Sequence, residues 1–206
     1  MTGGAQLSLW SQDRPLTTTW DKLRKSDGWT VQRIRHGDGR AFIAAHHYAR
    51  GASNTSTLAA GLIDPAGRLV GVVLWMPPTA GIVGWARRQH ASAAPVMLSR
   101  MAILDEVPSN AASFLLARSL RLLRTQGYDL AVTYADPLHG HDGHVYRAAG
   151  WTQDGAAAAR TTWADPDGVQ RCPKVGPRNL TVAEMVARGW RRRKGKPKPR
   201  YVRRIT

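Results

Sequence analysis

The order of secondary-structure signals in the middle of the chain constrains the fold most strongly. Val96–Leu104 is an apolar, β-prone segment, and Leu130–Ala135 is a second, shorter one. Between them, apolar residues recur at helical spacing up to Gly127, which is the expected helix stop. Two strands joined through a helix pair in parallel, because the crossover brings the chain back to the same edge of the sheet. The sequence therefore predicts an α/β fold in which helices cover a mixed sheet.

Segments on either side of this unit predict further strands. Thr30–Arg35 alternates between apolar and polar residues, which is typical of a short strand. Thr57–Ile63 and Arg68–Met76 are apolar runs separated by an Asp-Pro-Ala-Gly turn, so they predict a hairpin. A second hairpin is predicted around the turn at Asp165–Gly168.

Helix signals separate these strands. Asp38 is the expected N-cap of a helix that ends near Gly51. Val107–Asn110 stops the central strand and is expected to cap the long helix that follows. A short helix is predicted at Gly143–Ala149, and Thr181–Glu184 has the spacing of a capping box.

Positive charge is concentrated at the C-terminal end of the chain. The protein has 30 Lys and Arg residues against 14 Asp and Glu residues, a net charge of +16 at pH 7. Ten of the cations lie between Arg188 and Thr206, a stretch without an acidic residue. This pattern predicts a polyanionic partner, because each neutralised phosphate releases counterions; a solubilising tail is the alternative. We predict one domain over residues 1–190 and a basic tail over residues 191–206, with room for a terminal strand.

Two basic segments contain the candidate DNA contacts. The first surrounds Trp85, in a glycine-flanked segment that we predict to be a loop. A tryptophan in such a loop could stack on a base or wedge into a duplex, and anchoring of the loop under the sheet is the alternative. The candidate DNA-binding residues are Trp85, Arg87, Arg88, Arg191, Arg192, Arg193 and Lys194.

The sequence also argues against several protein classes. The N-terminus has neither the basic start nor the apolar stretch of a signal peptide. No apolar run approaches the roughly 18 residues of a membrane span. The single cysteine, Cys172, excludes an internal disulfide and a multi-cysteine zinc site, and we interpret it as structural. We expect a cytoplasmic protein without a membrane partner.

Five short motifs resemble a known family. They are His46-His47-Tyr48, Leu98-Ser99-Arg100, Tyr134-Ala135-Asp136-Pro137, Gly140-His141-Asp142-Gly143, and Tyr146 followed by Gly150-Trp151. The strand, helix, strand and short helix of this region resemble the second half of a GNAT N-acyltransferase. More narrowly, the motifs resemble the Mom family of bacteriophage DNA-modification proteins. The resemblance covers residues 40–163 and the terminal Arg200-Tyr201-Val202.

The resemblance implies a GNAT-like, mostly antiparallel sheet and an enzyme that acts on DNA. The implied reaction converts adenine to N6-carbamoylmethyladenine, which protects phage DNA from restriction. Double-stranded DNA is then the partner, and the implied location is the cytoplasm of a bacterial host that carries the phage or prophage.

The implied donor differs from that of ordinary GNAT enzymes, which hold the pyrophosphate of coenzyme A on a glycine-rich turn between strand and helix. The corresponding turn here, Val107–Ala112, has no glycine, and Pro108 has no N–H to donate. This argues against acetyl-CoA. The product favours a donor of a glycyl group, for which glycyl-tRNA is a candidate.

The family motifs supply the candidate catalytic residues His47, Tyr48, Arg100, Asp136 and Tyr146. Histidine titrates near neutrality, so His47, or the histidine before it, could accept a proton from the attacking amine. Arg100 interrupts an apolar strand and therefore requires a partner or a cleft, where it could stabilise an oxyanion. Core packing or a surface cap is the alternative for His47 and Tyr48, and structural ion pairing is the alternative for Arg100.

The remaining two candidates lie after the second central strand. Asp136 could orient His47, pair with Arg100 or accept a hydrogen bond from the adenine amino group, and a turn-forming role is the alternative. Tyr146 could donate to a leaving group, and a buried core tyrosine is the alternative. The candidate substrate- or cofactor-binding residues are Ser99, Ser109, Asn110, His141 and Gly143.

One loop is a candidate metal site. Four ligand-type side chains fall within nine residues, a donor set that would suit iron or zinc. They are Asp136, His139, His141 and His144. Neither His139 nor His144 belongs to the family motifs, so we predict a solvated or phosphate-facing loop and no metal, with iron as the unfavoured alternative.

Two other functions stay open at the level of sequence. One is an ordinary GNAT acetyltransferase that acts on a protein or a small amine. The other is a DNA-binding protein without catalysis on a GNAT-like scaffold. Analysis of nucleosides from cells that express the protein separates DNA modification from both.

Overall fold

The computed structural model describes residues 22–49, 51–171, 173–175 and 178–206, so Cys172 lies outside the described residues. Within these ranges the strands are β1 (Thr30–Arg33), β2 (Leu58–Ile63), β3 (Leu69–Met76), β4 (Pro95–Ile103), β5 (Leu130–Tyr134), β6 (Thr152–Ala157), β7 (Thr161–Ala164), β8 (Gln170–Arg171), β9 (Lys174–Val175), β10 (Arg178–Asn179), β11 (Arg191–Lys194) and β12 (Lys198–Arg204). The helices are α1 (His36–His46), α2 (Ala80–His90), α3 (Ala111–Arg124), α4 (His144–Ala148) and α5 (Val182–Ala187). In this described part, no helix is long and apolar enough to cross a bilayer.

Seven strands form the main sheet, in the order β1-β2-β3-β4-β5-β12-β6. Neighbours from β1 to β4 pair antiparallel, whereas β4 and β5 pair in parallel. The parallel pair follows from the crossover through α3. This arrangement confirms the predicted α/β fold with a mixed, mostly antiparallel sheet. The smaller sheets have the orders β11-β7-β8 and β10-β9.

The predicted turns form for the expected physical reasons. The Asp64 carboxylate accepts the backbone N–H groups of Ala66 and Arg68 at 3.0 and 2.8 Å, and so closes the β2–β3 hairpin. Gly127, at φ 85°, follows α3 in the left-handed conformation that glycine favours. The capping box at the start of α5 is present, with the Thr181 and Glu184 side chains each accepting the other's backbone N–H.

Helix α1 begins earlier than the sequence predicts. Its N-cap is Arg35, and Asp38 lies in the first turn, where its carboxylate accepts a bond from the Arg35 guanidinium at 3.0 Å. An acid in the first turn is favourable beside the positive end of the helix dipole. The helix ends at His46, because His47 is extended and acts as the C-cap. The predicted end near Gly51 was therefore too late.

The loop predicted around Trp85 is wrong, because this residue lies within α2. The Thr79 side chain accepts the Ile82 N–H at 3.4 Å and caps the helix. Ala86 is fully buried, so the helix gains a packed side despite the two glycines that lower its intrinsic propensity. Tertiary burial outweighs local propensity here.

Contacts divide the chain into two compact units. The first unit contains the described residues up to Thr133 together with His144–Thr152 and Tyr201–Thr206. The second contains Tyr134–Gly143 and the described residues of Gln153–Arg200. The boundary predicted at residue 190 stays a prediction.

The core of the first unit lies around β2 and β3. Phe42 and Ile43 of α1 pack against Ala59, Val72 and Leu74 on one face of these strands. Helix α3 packs on β1, β2 and β3 through its own apolar stripe, which includes Leu115, Leu116 and Leu123. Both strands are consequently buried along nearly their whole length.

The second unit has a smaller apolar cluster. Trp163 of β7 and Leu180 and Met185 beside and within α5 are buried, and Trp190 packs against them. Strand β11 pairs with β7 and lies at the edge of its three-stranded sheet.

Candidate functional site

Strands β4 and β5 diverge in the first unit. Their parallel pairing runs from Pro95–Leu130 to Met97–Val132 and then stops. Immediately beyond this point, the register between β3 and β4 shifts, so that Ser99 is an extra residue in β4. An extra residue of this kind re-aims the neighbouring side chains, and such bulges are common beside active sites. The opening between diverging strands is therefore the candidate site.

Arg100 follows the bulge and is held by backbone carbonyls. Its Nε donates to the Gly51 carbonyl at 3.2 Å, and one terminal nitrogen donates to the Ser99 carbonyl at 2.7 Å. No acidic side chain among the described residues lies within ion-pair distance of this guanidinium. Among the described residues, carbonyl groups hold Arg100 and no structural ion pair of the kind the sequence left open is present.

His47 and Tyr48 begin the segment that Arg100 anchors. Their rings lie 4.2 Å apart, and Tyr48 is 49% exposed. Nδ1 of His47 accepts the Ala49 N–H at 3.0 Å. A ring nitrogen that accepts a hydrogen bond carries no proton, so the neutral imidazole has its proton on Nε2. Gly51, whose carbonyl Arg100 contacts, comes three residues after Tyr48.

Tyr146 lies in an aromatic cluster. Its ring packs on Trp151 at 5.7 Å and on Tyr201 at 5.4 Å, and Trp151 stacks on Trp75 at 6.3 Å. Trp75 points to the face of β3 opposite Leu74, which is the residue paired with Arg100. Tyr146 therefore packs on the other side of the sheet from Arg100.

Burial raises the pKa of the Tyr146 phenol, although the hydrogen bond with Thr133 at 3.5 Å partly opposes this shift. The phenol consequently stays protonated at neutral pH and is able to donate. The indole N–H groups of Trp75 and Trp151 in this cluster are buried, and among the described residues they have no hydrogen-bond partner.

The start of α3 does not fit coenzyme A. Pro108 has no N–H, and the Ala111 N–H is already bonded to the Pro108 carbonyl at 2.9 Å. Glu106 adds an acid to the turn and accepts the Arg68 guanidinium at 2.9 Å. This turn therefore lacks the glycines of the usual pyrophosphate loop, and Pro108 and Ala111 offer it no free N–H.

Asn110 and Ser109 belong to the same turn. Asn110 is the N-cap residue of α3, as predicted, but its side chain makes no capping hydrogen bond. It accepts the Leu23 N–H at 2.7 Å and donates to the Leu23 carbonyl at 3.2 Å. The Asn110 amide is therefore engaged with a distant part of the backbone, and Ser109 is exposed.

In the second unit, Asp136 is buried and ion-paired. Its carboxylate lies 2.5 Å from Nζ of Lys198 at the start of β12. The Asp136 carbonyl accepts the N–H groups of His139 and His141 at 3.0 and 3.2 Å. Gly143 of the same loop is buried and has φ 80°.

Local sequence patterns miss Lys198. It is separated from Asp136 by 62 residues, and no spacing rule connects them. The two prolines that flank it, which indicate an extended connector, are the one signal available.

Within the described residues, the loop histidines are not part of a metal-ligand cluster. Among the described residues, no group of three or more His, Cys, Asp or Glu side chains is placed to hold a metal ion. His139, His141 and His144 are all exposed.

The two predicted basic segments differ in structure. Arg87 and Arg88 are exposed near the end of α2, and Trp85 is half-buried with its ring 4.8 Å from His90. All four side chains of β11 are exposed. Arg192 lies over the Trp163 ring at 5.6 Å, and the β11 arginines line a groove of about 500 Å³ beside the Asp165–Gly168 turn.

The family is decided by a sequence comparison. The profile of the Mom protein family matches residues 28–202, which include all five candidate catalytic residues. The chain belongs to the Mom protein family. Curated proteins, in contrast, provide no sequence match to it.

Solved structures relate this Mom protein to GNAT acetyltransferases by fold. An agmatine N-acetyltransferase has 12% sequence identity and a TM-score of 0.52, with 86% of the Mom chain and 100% of that chain covered. A spermidine/spermine N-acetyltransferase from Vibrio cholerae has 12% identity and a TM-score of 0.50, with 86% and 92% covered. At this identity the similarity shows the acyltransferase-like fold alone, which confirms the GNAT-like architecture.

Proposed function

We propose that this Mom protein is a transferase that converts adenine in double-stranded phage DNA to N6-carbamoylmethyladenine and so protects it from restriction. The observation that carries the proposal is the Mom-family match, which spans every candidate catalytic residue. The net charge of +16 and the exposed cations of β11 support a polyanionic substrate.

The target atom requires access to a single base. Adenine N6 is paired within the duplex, so chemistry on it normally needs the base to be extruded into a pocket, which costs a few kcal/mol. Contacts between cations and phosphates offset part of this free energy. We assign these contacts to β11 and to Arg87 and Arg88 of α2, with Trp85 as a stacking side chain at the same helix.

The proposed reaction has two steps. In the first, N6 attacks the carbonyl carbon of a glycyl ester, the ester C–O bond breaks, and N6 becomes glycylated. In the second, the free α-amine attacks C6 of the base through a five-membered ring. The bond between C6 and the original nitrogen then breaks and that nitrogen takes up a proton. The product is C6–NH–CH2–C(O)NH2, which is the connectivity of carbamoylmethyladenine.

The donor in this proposal is glycyl-tRNA or a related glycyl ester. The lack of fit at the start of α3 supports a donor other than acetyl-CoA, because Pro108 offers no N–H and Glu106 places a carboxylate beside the turn. An ester also supplies the activated carbonyl that the first step needs.

Arg100 and His47 are assigned to the developing charge on the carbonyl oxygen. Arg100 is held by two carbonyl groups and has no acidic partner among the described residues, which suits a fixed positive charge. Nε2 of neutral His47 carries a proton, so it is suited to donate a hydrogen bond to the same oxygen. The sequence favours a general base here, and that role requires Nδ1 to lose its bond with Ala49.

Asp136 is assigned to proton transfer from N6 to the leaving alcohol. Tyr146 packs on the other side of the sheet from Arg100, so its phenol is not assigned to this carbonyl and belongs to the aromatic cluster. Asp136, as an ionised carboxylate paired with Lys198, is suited to accept the proton that N6 releases on attack. Ser99, His141 and Gly143 are proposed to shape substrate binding.

Nucleoside analysis tests this function. DNA from cells that express the wild-type chain is digested, and a nucleoside heavier than deoxyadenosine by one carbamoylmethyl group is expected. Isotope-labelled glycine should enter that nucleoside. Expression of the Arg100→Ala variant at the same level is the control. Absence of the modified nucleoside would remove the proposal, and its presence without label would remove the glycyl donor alone.

The fold favours one competing function, an ordinary GNAT acetyltransferase. Such an enzyme would be stabilised by acetyl-CoA, because a ligand that binds the folded state raises the melting temperature. We expect no such stabilisation, since the turn before α3 has no glycine and Pro108 offers no N–H to a pyrophosphate.

A further inference from the structure

Lys198 makes a close charge contact with the buried carboxylate of Asp136. The Nζ–Oδ2 distance is 2.5 Å, and the side chains are 38% and 11% exposed respectively. A buried carboxylate without a partner is unfavourable, because burial penalises the charged form. The ammonium group therefore supplies the compensation that lets Asp136 stay ionised and fixed in orientation.

The backbone around Lys198 holds the ammonium in place. Pro197 and Pro199 flank it and restrict the backbone to extended conformations. The Pro199 carbonyl accepts the Ala135 N–H at 3.0 Å, directly beside Asp136 in sequence. The start of β12 is thus fixed next to the residue that Lys198 contacts.

The other end of the connector is fixed as well. The Gly195 N–H donates to the Arg160 carbonyl at 3.1 Å, and a Cβ at Gly195 would meet that oxygen at 2.2 Å. This close approach requires glycine. The segment from Gly195 to Pro199 is consequently anchored on both sides of Lys198.

On the opposite side, Asp136 is fixed by its own loop. Its carbonyl accepts two backbone N–H groups, from His139 and His141. The main chain of Asp136 is therefore set by the loop, and its carboxylate is bonded to Lys198.

We propose that Lys198 is a positioning residue that holds the Asp136 carboxylate in place for proton acceptance in the reaction. This role rests on the proposed function. Lys198 acts through Asp136 and is not assigned a contact with the reacting atoms. It makes the start of β12, which the sequence presents as part of a basic tail, a component of the catalytic machinery.

The experiment compares substitutions at Lys198 by rate of modification, KM for DNA and melting temperature. We expect Lys198→Met to lower kcat about 10²-fold, the loss that a small misplacement of a catalytic group produces. KM for DNA should change little, and the melting temperature should fall, because the buried Asp136 carboxylate loses an ion pair. Lys198→Arg should recover part of the rate, and added ethylammonium should raise the rate of Lys198→Ala.

Lys196→Met is the matched control, since Lys196 is exposed, lies two residues away and carries the same charge. It should leave kcat unchanged. A wild-type rate for Lys198→Met would overturn the proposal. So would a loss of rate that follows a lower melting temperature and that neither arginine nor ethylammonium restores. If the wild-type chain itself forms no modified adenine, the proposed function fails and this role fails with it.

Discussion

The two units of the chain use charge in different ways. In the first, β2 and β3 are buried almost completely, and the one cation at the strand opening, Arg100, is held by backbone carbonyls. In the second, every side chain of β11 is exposed, and the buried acid Asp136 is matched by an opposite charge. The contacts of a guanidinium held by peptide groups depend on its planar shape, whereas those of an exposed cation depend only on its charge.

This difference predicts opposite tolerance to replacement of Arg by Lys. Lysine keeps the charge but loses the planar fork that donates in two directions. At Arg100 the fork is in use, so lysine should fail there. At β11 the charge alone should matter, so lysine should suffice.

The largest effect is expected at Arg100. Arg100→Ala should lower the rate of adenine modification about 10³-fold, near the upper end for loss of one group that stabilises an oxyanion. Arg100→Lys should be almost as slow, because it cannot bond both Gly51 and Ser99. Rates at saturating DNA measure this, with circular dichroism as the control for folding. A wild-type rate for Arg100→Lys would contradict the expected difference in tolerance to lysine between Arg100 and β11.

The next effect concerns the proton on His47. A glutamine side chain places an N–H donor near the position of Nε2, whereas asparagine reaches only the position of Nδ1. If His47 donates through Nε2, His47→Asn should lose about 10²-fold in rate, as for loss of one hydrogen-bond donor, and His47→Gln should lose much less.

DNA affinity should be unchanged in both His47 variants. Equal, large losses in the two variants would instead support the general-base role, since neither amide can take a proton. His46→Gln is the neighbouring control and should retain activity.

Strand β11 should affect binding and not chemistry. Replacing Arg191, Arg192, Arg193 and Lys194 with glutamine should make the slope of log affinity against log salt shallower by up to about 3.6, at about 0.9 per phosphate contact. Replacing the three arginines with lysine should leave the slope unchanged. The measurement is DNA binding at several salt concentrations.

Substitution of Lys22, Arg24, Lys25 and Arg33, which are exposed elsewhere in the chain, removes the same charge and serves as the control. An equal change of slope in that control would show that β11 has no special role. Edge-strand cations also prevent aggregation, so solubility of the β11 variant is measured alongside.

Much of the first unit is predictable from sequence, because its signals are local. The apolar run of β3 and the periodic stripe of α3 with Gly127 after it depend on residues close together in the chain. The same local pattern predicted that Arg100 lies in an apolar strand, where its charge requires a partner or a cleft. The partner of Arg100 could not be predicted, since it is a carbonyl 49 residues away.

The features that sequence reasoning misplaced all depend on distant partners. Asn110 has the sequence of a helix cap, but its amide bonds Leu23, which is 87 residues away. Trp85 sits among glycines that favour a loop, yet burial of Ala86 stabilises a helix. Lys198 has the context of a tail residue until β12 brings it to Asp136.

The smallest effect tests how charge stabilises the second unit. At the start of α5, the Glu184 carboxylate accepts two bonds from Arg178, at 2.7 and 2.9 Å, and one from the Thr181 N–H at 2.8 Å. The Arg178 hydrogen bonds, and then the Thr181 N–H, lower the pKa of Glu184 to about 2. A lowered pKa means that the folded state favours the ionised form, so the stabilisation is complete above the ordinary value of 4.5 and disappears as pH falls through about 2.

Glu184→Gln should therefore lower the melting temperature by a small amount at neutral pH, because the contact is exposed. The gap to wild type should narrow between pH 4.5 and pH 2, the window set by the two pKa values. Thermal melts across this range measure the gap. Asp167→Asn, which removes an exposed acid in the same unit, is the control for the loss of one negative charge. A gap that stays constant down to pH 2 would mean that the charge of Glu184 contributes nothing and that the capping geometry alone stabilises α5.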